Sequence, residues 1–320
     1  MSNLDQLVVV LSRSYSTGLC VVRSLGAAGY TIDVVASATN AGDSDYLGKS
    51  RYVRNHVEVL TKKVSGNIDE DLINALLAYK GQCDKKPVLI STDDYTSSVM
   101  DMNRTILEEI FIMPGITDGQ AGSLKHHMDK SVQGEIARRV GILTPEEWVV
   151  SLREDEITIP DDVIYPCYVK PLESSLGYKT EMAKCDDKES LSKHLYWMKE
   201  RFTERSVLVQ RFLEIDEEID MEGICLDQEI ILPGIVWKRV VAQRDKGVPL
   251  EGLMFPVEKL GDFTDKIKDF LREFHYFGMF DLGFNIVGKD IYFNELNVRS
   301  GGTNFVYFGS GVNLPDIFVK

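Results

Sequence analysis

Short apolar runs recur through the first 115 positions, each followed by a polar loop or an amphipathic stretch. Residues 7–11 (LVVVL), 31–36 (TIDVVA) and 87–91 (PVLIS) read as buried strands. Residues 12–18, all small or polar apart from Tyr15, read as a loop, and residues 19–28 as a helix closed by Gly29. Over 69–80, Leu72, Ile73, Ala75, Leu76 and Leu77 form one apolar stripe, and 95–110 reads as a further helix. Strand–helix alternation of this kind builds a parallel sheet. From about residue 118 the pattern changes. A helix is expected from Asp129-Lys130 to Val140, closed by Gly141, and another over 187–202. Strands are expected over 148–151, 165–170 and 206–213, and a hairpin over 280–299.

The hairpin sets a geometric problem. Side chains two apart share a strand face, so Glu295, Asn297 and Arg299 point one way with Leu296 and Val298 behind. Two hard oxygen donors suit Mg²⁺, and an arginine suits a phosphate or carboxylate. Asp281, on the first strand, must reach the same face to join them. A two-residue turn at Gly288-Lys289 pairs Val287 with Asp290 and sets Asp281 opposite Leu296, on the wrong side. A three-residue loop, Gly288-Lys289-Asp290, pairs Val287 with Ile291 and sets Asp281 opposite Asn297, with Glu295 as diagonal neighbour. The three-residue loop is the expectation. A five-residue loop keeps the same parity, and a bulge restores it from an even one.

Composition narrows the function classes. With 36 Lys and Arg against 50 Asp and Glu, the net charge of −14 argues against a nucleic-acid surface. No run of about 18 apolar residues exists to cross a membrane, and no basic leader opens the chain. The five cysteines are scattered, odd in number and without a CxxC, which fits thiols in the reducing cytoplasm. The loop after the first strand has one glycine, Gly18, where a dinucleotide fingerprint needs three, and no GxxxxGK[ST] is present. The 320 residues suggest about two domains.

Taken singly, a lysine at a helix start, a Val-Lys-Pro strand end or a Ser-Ser-x-Gly turn says little. Their order is informative: Asp129-Lys130, Val169-Lys170-Pro171, Ser174-Ser175-x-Gly177, Val209 to Leu213, Glu217-Glu218, Asp281, then Glu295-x-Asn297-x-Arg299. This order resembles the ATP-grasp superfamily, and within it the carboxylate–amine ligases related to D-aspartate ligase and carbamoyl phosphate synthase. The resemblance spans the chain, because residues 7–29 and Lys49 to Val53 look like the domain that precedes the catalytic module in that family. It implies a mixed α/β fold with a parallel-sheet pre-ATP-grasp domain at 1–118, a lid subdomain at 119–210 and a metal-carrying subdomain at 211–320.

The resemblance implies roles position by position. Lys130 and Lys170 match the lysines on the ATP phosphates. Ser174, Ser175 and Gly177 match the loop over the γ-phosphate. Gln210, Arg211 and Phe212 match the hinge whose backbone reads adenine, with Gln210 where the family usually has Glu. Glu218, with Glu217 beside it as the alternative, matches the acid on the ribose. Asp281, Glu295 and Asn297 match the ligands of Mg²⁺ (or Mn²⁺), and Arg299 the arginine at the transferring phosphate. Lys238, Arg239 and Arg244 fall where a further phosphate cation is kept. The implied activity is ATP-dependent ligation of a carboxylic acid to an amine, amino acids or peptides, through an acyl phosphate. Implied partners are those small molecules and, for assembly, a homodimer. A bicarbonate-activating enzyme and a catalytically silent ATP-binding regulator are the alternatives. The chain ends about 20 residues after Arg299, where relatives of D-aspartate ligase run on.

Overall fold

The computed structural model describes residues 5–13, 15–60, 68–172, 182–201, 206–227, 229–241 and 249–320. Its first sheet is parallel. Strands β1 (Leu7–Ser12), β2 (Thr31–Ala38), β3 (Val53–Leu60) and β4 (Val88–Ser91) lie in the order β3-β2-β1-β4. Helices α1 (Tyr15–Ala27), α2 (Asp45–Gly48) and α3 (Ile68–Leu77) make the crossovers, and α4 (Asp94–Met102) and α5 (Arg104–Leu107) leave β4. All six residues of β1 are buried, as a strand covered on both faces requires.

Strand β3 was not among the expected strands, since its polar residues give no apolar run, and two boundaries also differ from expectation. The 12–18 segment is not all loop, because α1 begins at Tyr15. Gly18 permits this: a Cβ there would collide with Ser12 Oγ, so the bare backbone lets the first helical turn press on the end of β1. The helix expected over 95–110 is broken at Asn103, whose side-chain amide donates to Val99 O at 2.9 Å and so competes with the helix ladder.

After β5 (Gly115–Ile116), α6 (Ser123–His127) and α7 (Lys130–Arg139), an antiparallel sheet follows. Its strands β6 (Glu147–Ser151), β7 (Cys167–Pro171), β8 (Ala183–Cys185) and β9 (Ser206–Arg211) run β6-β9-β7-β8, with α8 (Lys188–Arg201) burying Leu191, Leu195 and Met198 against it. The third sheet is the largest. Its strands are β10 (Glu217–Cys225), β11 (Ile230–Ile231), β12 (Ile235–Val241), β13 (Pro249–Phe255), β14 (Tyr276–Val287) and β15 (Asp290–Asn297). The main path is β13-β12-β10-β14-β15, with β11 on β10 and β5 on β14. Helix α9 (Phe263–Glu273) covers one face through Ile267, Phe270 and Leu271, which meet Phe280, Leu282 and Phe284 in a shared core. Each such fully buried side chain contributes roughly 1.5–3 kcal/mol, and the effect is to leave the opposite face of the sheet for polar groups. The chain closes with α10 (Asn304–Gly309) and α11 (Leu314–Val319), whose Tyr307, Leu314 and Phe318 pack with Val8, Val10, Val21 and Ile32 of the first sheet and helix.

The five cysteines are free thiols. Among the described residues no helix is long and apolar enough to cross a membrane.

The hairpin solves its parity problem by another route than the expected loop. The turn is the two-residue Gly288-Lys289, with Val287 paired to Asp290 and Gly288 at φ 60°. That register alone would misplace Asp281. A bulge corrects it: Gly283 pairs with Glu295 and Phe284 with Phe293, so Asn294 is the extra residue and Asp281 pairs with Asn297. The outer edge of β15 is held by groups outside the sheet. Phe293 N–H donates to Leu143 O at 2.8 Å, and the Gln133 side chain both donates to Leu296 O (2.8 Å) and accepts from Leu296 N–H (3.0 Å). The strand ends at Asn297, so Arg299 lies in the following turn and not on the strand.

Candidate active site

A cavity of about 410 Å³ opens between the β6–β9 sheet and the β10–β15 sheet. Lys130, Lys170, Gln210, Arg211, Phe212, Glu218, Lys238 and Glu295 all line it. Tyr168, Phe212, Leu213 and Ile215 make one apolar wall, and the lysines and Glu295 a charged floor. A wider surface depression of about 720 Å³, lined by Glu156, Thr158, Lys188 and Lys193, gathers none of these residues.

The two lysines are buried, which is rare for lysine and calls for partners. Lys130 opens α7, where the Asp129 side chain accepts from Ser131 N–H at 2.8 Å and caps the helix. Lys170 is the penultimate residue of β7. Burial and then the nearby Lys130 charge push the Lys170 ammonium down to about 8, with Glu295 and Glu147 opposing. Burial would lift the Glu295 carboxyl, but Lys130, Lys170 and Arg299 outweigh it and hold it below the ordinary range. Gln133, one turn along α7 from Lys130, ties this helix to β15 through Leu296, the neighbour of Glu295.

Register places the acids. Directly opposed residues in antiparallel strands share a face. One row across β10, β14 and β15 is Glu222, Asp281 and Asn297, and the next is Asp220, Gly283 and Glu295. Gly283 has no side chain, which leaves room between Asp220 and Glu295. Asn297 Nδ2 lies 3.3 Å from Asp281 Oδ2 and 3.4 Å from Glu295 Oε1, so the three side chains converge. The same amide turned over presents its oxygen instead. Burial raises Asp281, with Arg299 and Lys238 opposing and Glu295 adding to the rise. Two carboxylates and an amide oxygen crowded in a buried pocket are a hard-oxygen donor set that fits Mg²⁺ or Mn²⁺.

Arg299 Nη1 donates to Asp281 Oδ2 at 3.1 Å and its Nε to Asp94 Oδ1 at 3.0 Å. Gly301 follows directly, and a Cβ there would stand 2.6 Å from Asp281 Oδ2, so the turn needs glycine to pass the carboxylate. That turn is clasped from below by Glu222, which accepts from Gly301 N–H at 2.9 Å and from Thr303 Oγ1 at 2.8 Å. Burial, and next the Asp281 charge, lift Glu222 to about 8. The same two causes lift Asp220 to about 7, although Lys238 Nζ sits 2.9 Å from its Oδ2.

Several expectations change in detail. Arg239 is not brought to the cavity. It is exposed, 3.1 Å from Glu251, because neighbouring strand residues face opposite ways and Lys238 takes the inward position. Glu218 lines the cavity and lies 3.4 Å from Lys238 Nζ, while Glu217 is exposed. The hinge N–H groups of Arg211 and Phe212 are committed to Glu146 O (2.8 Å) and Pro166 O (2.9 Å). The N–H left for a ring edge is that of Leu213, which has no hydrogen bond among the described residues. Ser174, Ser175, Gly177 and Arg244 lie outside the described residues. Asp220, Glu222 and Gln133 were not singled out from the sequence as site residues, and Asp94 stood out only as part of the loop Asp93-Asp94-Tyr95, expected near the substrate without a readable code. For the first two a signal existed: acids alternate with apolar residues through Glu218-Ile219-Asp220-Met221-Glu222, the period of a strand with one charged face.

No family model matches the chain. It is 27% identical over 194 residues to the carbamoyl phosphate synthase large chain of Thermus thermophilus, covering 59% of this chain and 19% of that one. It is 23% identical over 192 residues to the same protein of Lachnoclostridium phytofermentans, covering 58% and 17%. The chain thus spans about a fifth of the length of the curated relatives it matches. Among solved structures it is similar to an L-amino acid ligase from Bacillus licheniformis (TM-score 0.69, 13% identity, 99% of this chain and 73% of that one). It is also similar to the biotin carboxylase of Campylobacter jejuni (0.72, 17%, 98% and 70%) and to N5-carboxyaminoimidazole synthetase of Staphylococcus aureus complexed with ADP (0.66, 14%, 96% and 74%). The chain shares the fold of all three.

Proposed function

We propose that this chain, by its fold a member of the ATP-grasp superfamily, is an ATP-dependent ligase that joins a carboxylic acid to an amine, with ADP and phosphate as products. The observation that carries the reading is the meeting of Lys130 and Lys170 with Glu295 in one cavity, beside the Asp281–Asn297 pair. A carboxylate is a poor electrophile, and phosphorylation by the γ-phosphate of ATP converts it to an acyl phosphate that an amine can attack. The protein has little covalent work in such a transfer, so positioning and charge compensation supply the catalysis.

Each group has a task in this reading. Tyr168, Phe212 and Ile215 flank the adenine, and Leu213 N–H meets its edge. Glu218 accepts from the ribose. Lys130 and Lys170 neutralise phosphate oxygens in a water-poor site where each contact is strong. Asp281, Glu295 and Asn297 would hold Mg²⁺, which supplies charge compensation between the phosphates when bound. Arg299 faces the transferring group, and Lys238, held by Asp220 and Glu218, adds a cation at the cavity wall.

The test is a panel of amino acids and dipeptides, singly and in pairs, assayed for phosphate release from MgATP, with bicarbonate alone as a separate arm. Release that requires both an acid and an amine is the expected result. Release with bicarbonate alone would move the chain to the carboxylase-type reading, which the likeness to biotin carboxylase favours. ATP binding without turnover in every arm would leave a nucleotide-binding regulator.

A further inference from the structure

Arg299 is held from two directions by residues far apart in the chain. Asp281 comes from β14 of the large antiparallel sheet and takes Nη1. Asp94 comes from the first turn of α4, at the end of the parallel sheet's β4, and takes Nε at 3.0 Å across a separation of 205 residues. Both pairs are mostly buried: Arg299 is 17% exposed, Asp94 15% and Asp281 13%. Solvent therefore screens them little. The remaining guanidinium nitrogen, Nη2, has no hydrogen bond among the described residues.

The direction of Asp94 is fixed before any ligand arrives. Its neighbour Asp93 is the N-cap of α4, accepting from Thr96 N–H at 3.0 Å and from Arg13 N–H, at the end of β1, at 2.6 Å. The hydroxyls of Thr96 and Ser97 return to Asp93 O at 3.1 and 2.9 Å. The Arg13 guanidinium lies 4.7 Å over the Tyr95 ring. The turn that presents Asp94 is thus tied on both sides, to β1 and into its own helix.

Asp281 cannot do this work alone. Its carboxylate is shared, with Asn297 at 3.3 Å on the same oxygen that Arg299 uses, and a cation on this oxygen-donor set would draw it away from the guanidinium. An arginine anchored only there would swing between a metal-free and a metal-bound position. We propose that Asp94 is a positioning residue: it grips the Nε edge of Arg299 so that Nη2 stays directed at the reacting group whatever Asp281 is bound to. The parallel-sheet unit then supplies part of the reaction geometry. This extends the ligase reading for its kinetic consequence, while the geometric claim stands apart from it.

The experiment uses the full chain with Asp94→Ala, Asp94→Glu and Arg299→Lys. The first readout is the arginine Nε–H resonance in a proton–nitrogen correlation spectrum, assigned to Arg299 by its loss in R299K. In the unsubstituted chain it is protected from exchange, and in D94A exchange quickens at least about tenfold. An unchanged resonance in D94A overturns the proposal whether or not the chain is a ligase. The second readout is phosphate release from MgATP with the amino-acid pair that gives the fastest rate. Misplacement by about an ångström costs on the order of 100-fold, so D94A lowers kcat roughly 10- to 100-fold with KM for ATP within about twofold, and D94E recovers part of it. A loss seen only in the melting temperature, with kcat retained, makes Asp94 a helix-terminus acid and no more. Absence of phosphate release from the unsubstituted chain counts against the ligase reading, and the resonance still decides the role of Asp94.

Discussion

The molecule contains two aspartate–arginine contacts built from the same chemistry to opposite ends. On β2, Asp33 receives Arg54 through two parallel bonds, Nε to Oδ1 at 2.9 Å and Nη2 to Oδ2 at 2.7 Å, and Tyr79 donates its hydroxyl to Oδ2 at 3.0 Å. Both oxygens of the buried carboxylate are served, and the outer side of Arg54 faces water. That pair is complete. On β14, Asp281 takes Arg299 and Asn297 on one oxygen, and its Oδ1 carries no hydrogen bond among the described residues. Its arginine is divided with Asp94, and Asp220, Glu222 and Glu295 crowd round it. A closed fork adds stability and offers nothing to a ligand. An open set with surplus charge gives up stability and leaves valences for a ligand to fill, the trade expected at functional sites.

The largest effect separating the two contacts is on turnover. Arg299→Ala should lower kcat by roughly 100- to 1,000-fold, the range for losing one preorganised donor at a developing charge. The melting temperature should fall as well, because Asp94 and Asp281 lose their buried cation. Arg54→Ala should leave kcat within about twofold and cost roughly 3 kcal/mol of stability, because the buried Asp33 carboxylate keeps only its Tyr79 hydroxyl. Steady-state kinetics beside a thermal melt decides it. The contrast collapses if Arg54→Ala slows turnover at unchanged stability, or if Arg299→Ala lowers the melting point and leaves kcat intact.

A smaller effect follows from the crowded acids. Glu222 titrates near 8 and Asp220 near 7 in the folded chain, against ordinary values of 4.5 and 3.8. Between the ordinary and the shifted values the folded state holds protons that the unfolded state has released. Stability therefore falls as pH rises from about 4.5 and levels off once both groups have ionised, above about 8. In EDTA the melting temperature should decline across that window, and Glu222→Gln should flatten part of the decline. Millimolar Mg²⁺ should recover more of it at pH 8 than at pH 6, since ionised ligands bind the cation. A flat profile in EDTA would mean that the surplus charge is already compensated within the fold.

How much of this was legible in the sequence depended on distance along the chain. Lys130 and Lys170 stood out through the order of motifs along the chain and not through local context, and the cavity collects both. The pairing of Asp281 with Asn297 was legible as a requirement of one shared face. The means was legible only as an alternative to the expected three-residue loop: the even turn is offset by a bulge at Asn294, beside a strand edge whose partners, Leu143 and Gln133, come from about 150 residues earlier. The loop Asp93-Asp94-Tyr95 was legible as a place near the substrate, but the role of Asp94 was not, since its meaning lies in an arginine 205 positions away. Glu222 was half-visible. The alternation marked it as one face of a strand, but nothing local says that this face is buried or that it clasps the turn at Gly301 and Thr303. Three strands of the parallel sheet were legible because each carries its own apolar run, but β3 was missed because its half-exposed VRNHVEVL has none, and the start of α1 was missed because Gly18 acts through its fit against Ser12 and not through propensity.

The smallest predicted effect falls where the open set stops. Lys238 and Arg239 are adjacent, and with Arg244 they were the alternatives for a further phosphate cation. Lys238 points inward: burial would lower its ammonium pKa, but Asp220 and Glu218 raise it overall, so it stays charged. Arg239 points outward to Glu251 at 3.1 Å, with each side chain about half exposed, and exposed pairs of this kind contribute little. Arg239→Ala should therefore leave kcat and KM for ATP within about twofold and move the melting temperature by less than about 2 °C. Lys238→Ala in the same assay should strand Asp220 and Glu218 without their cation and impair ATP binding. A tenfold or greater loss in kcat/KM for Arg239→Ala would mean that the outer face of β12 also meets the substrate, and the boundary between open and closed charge would have to be drawn further out.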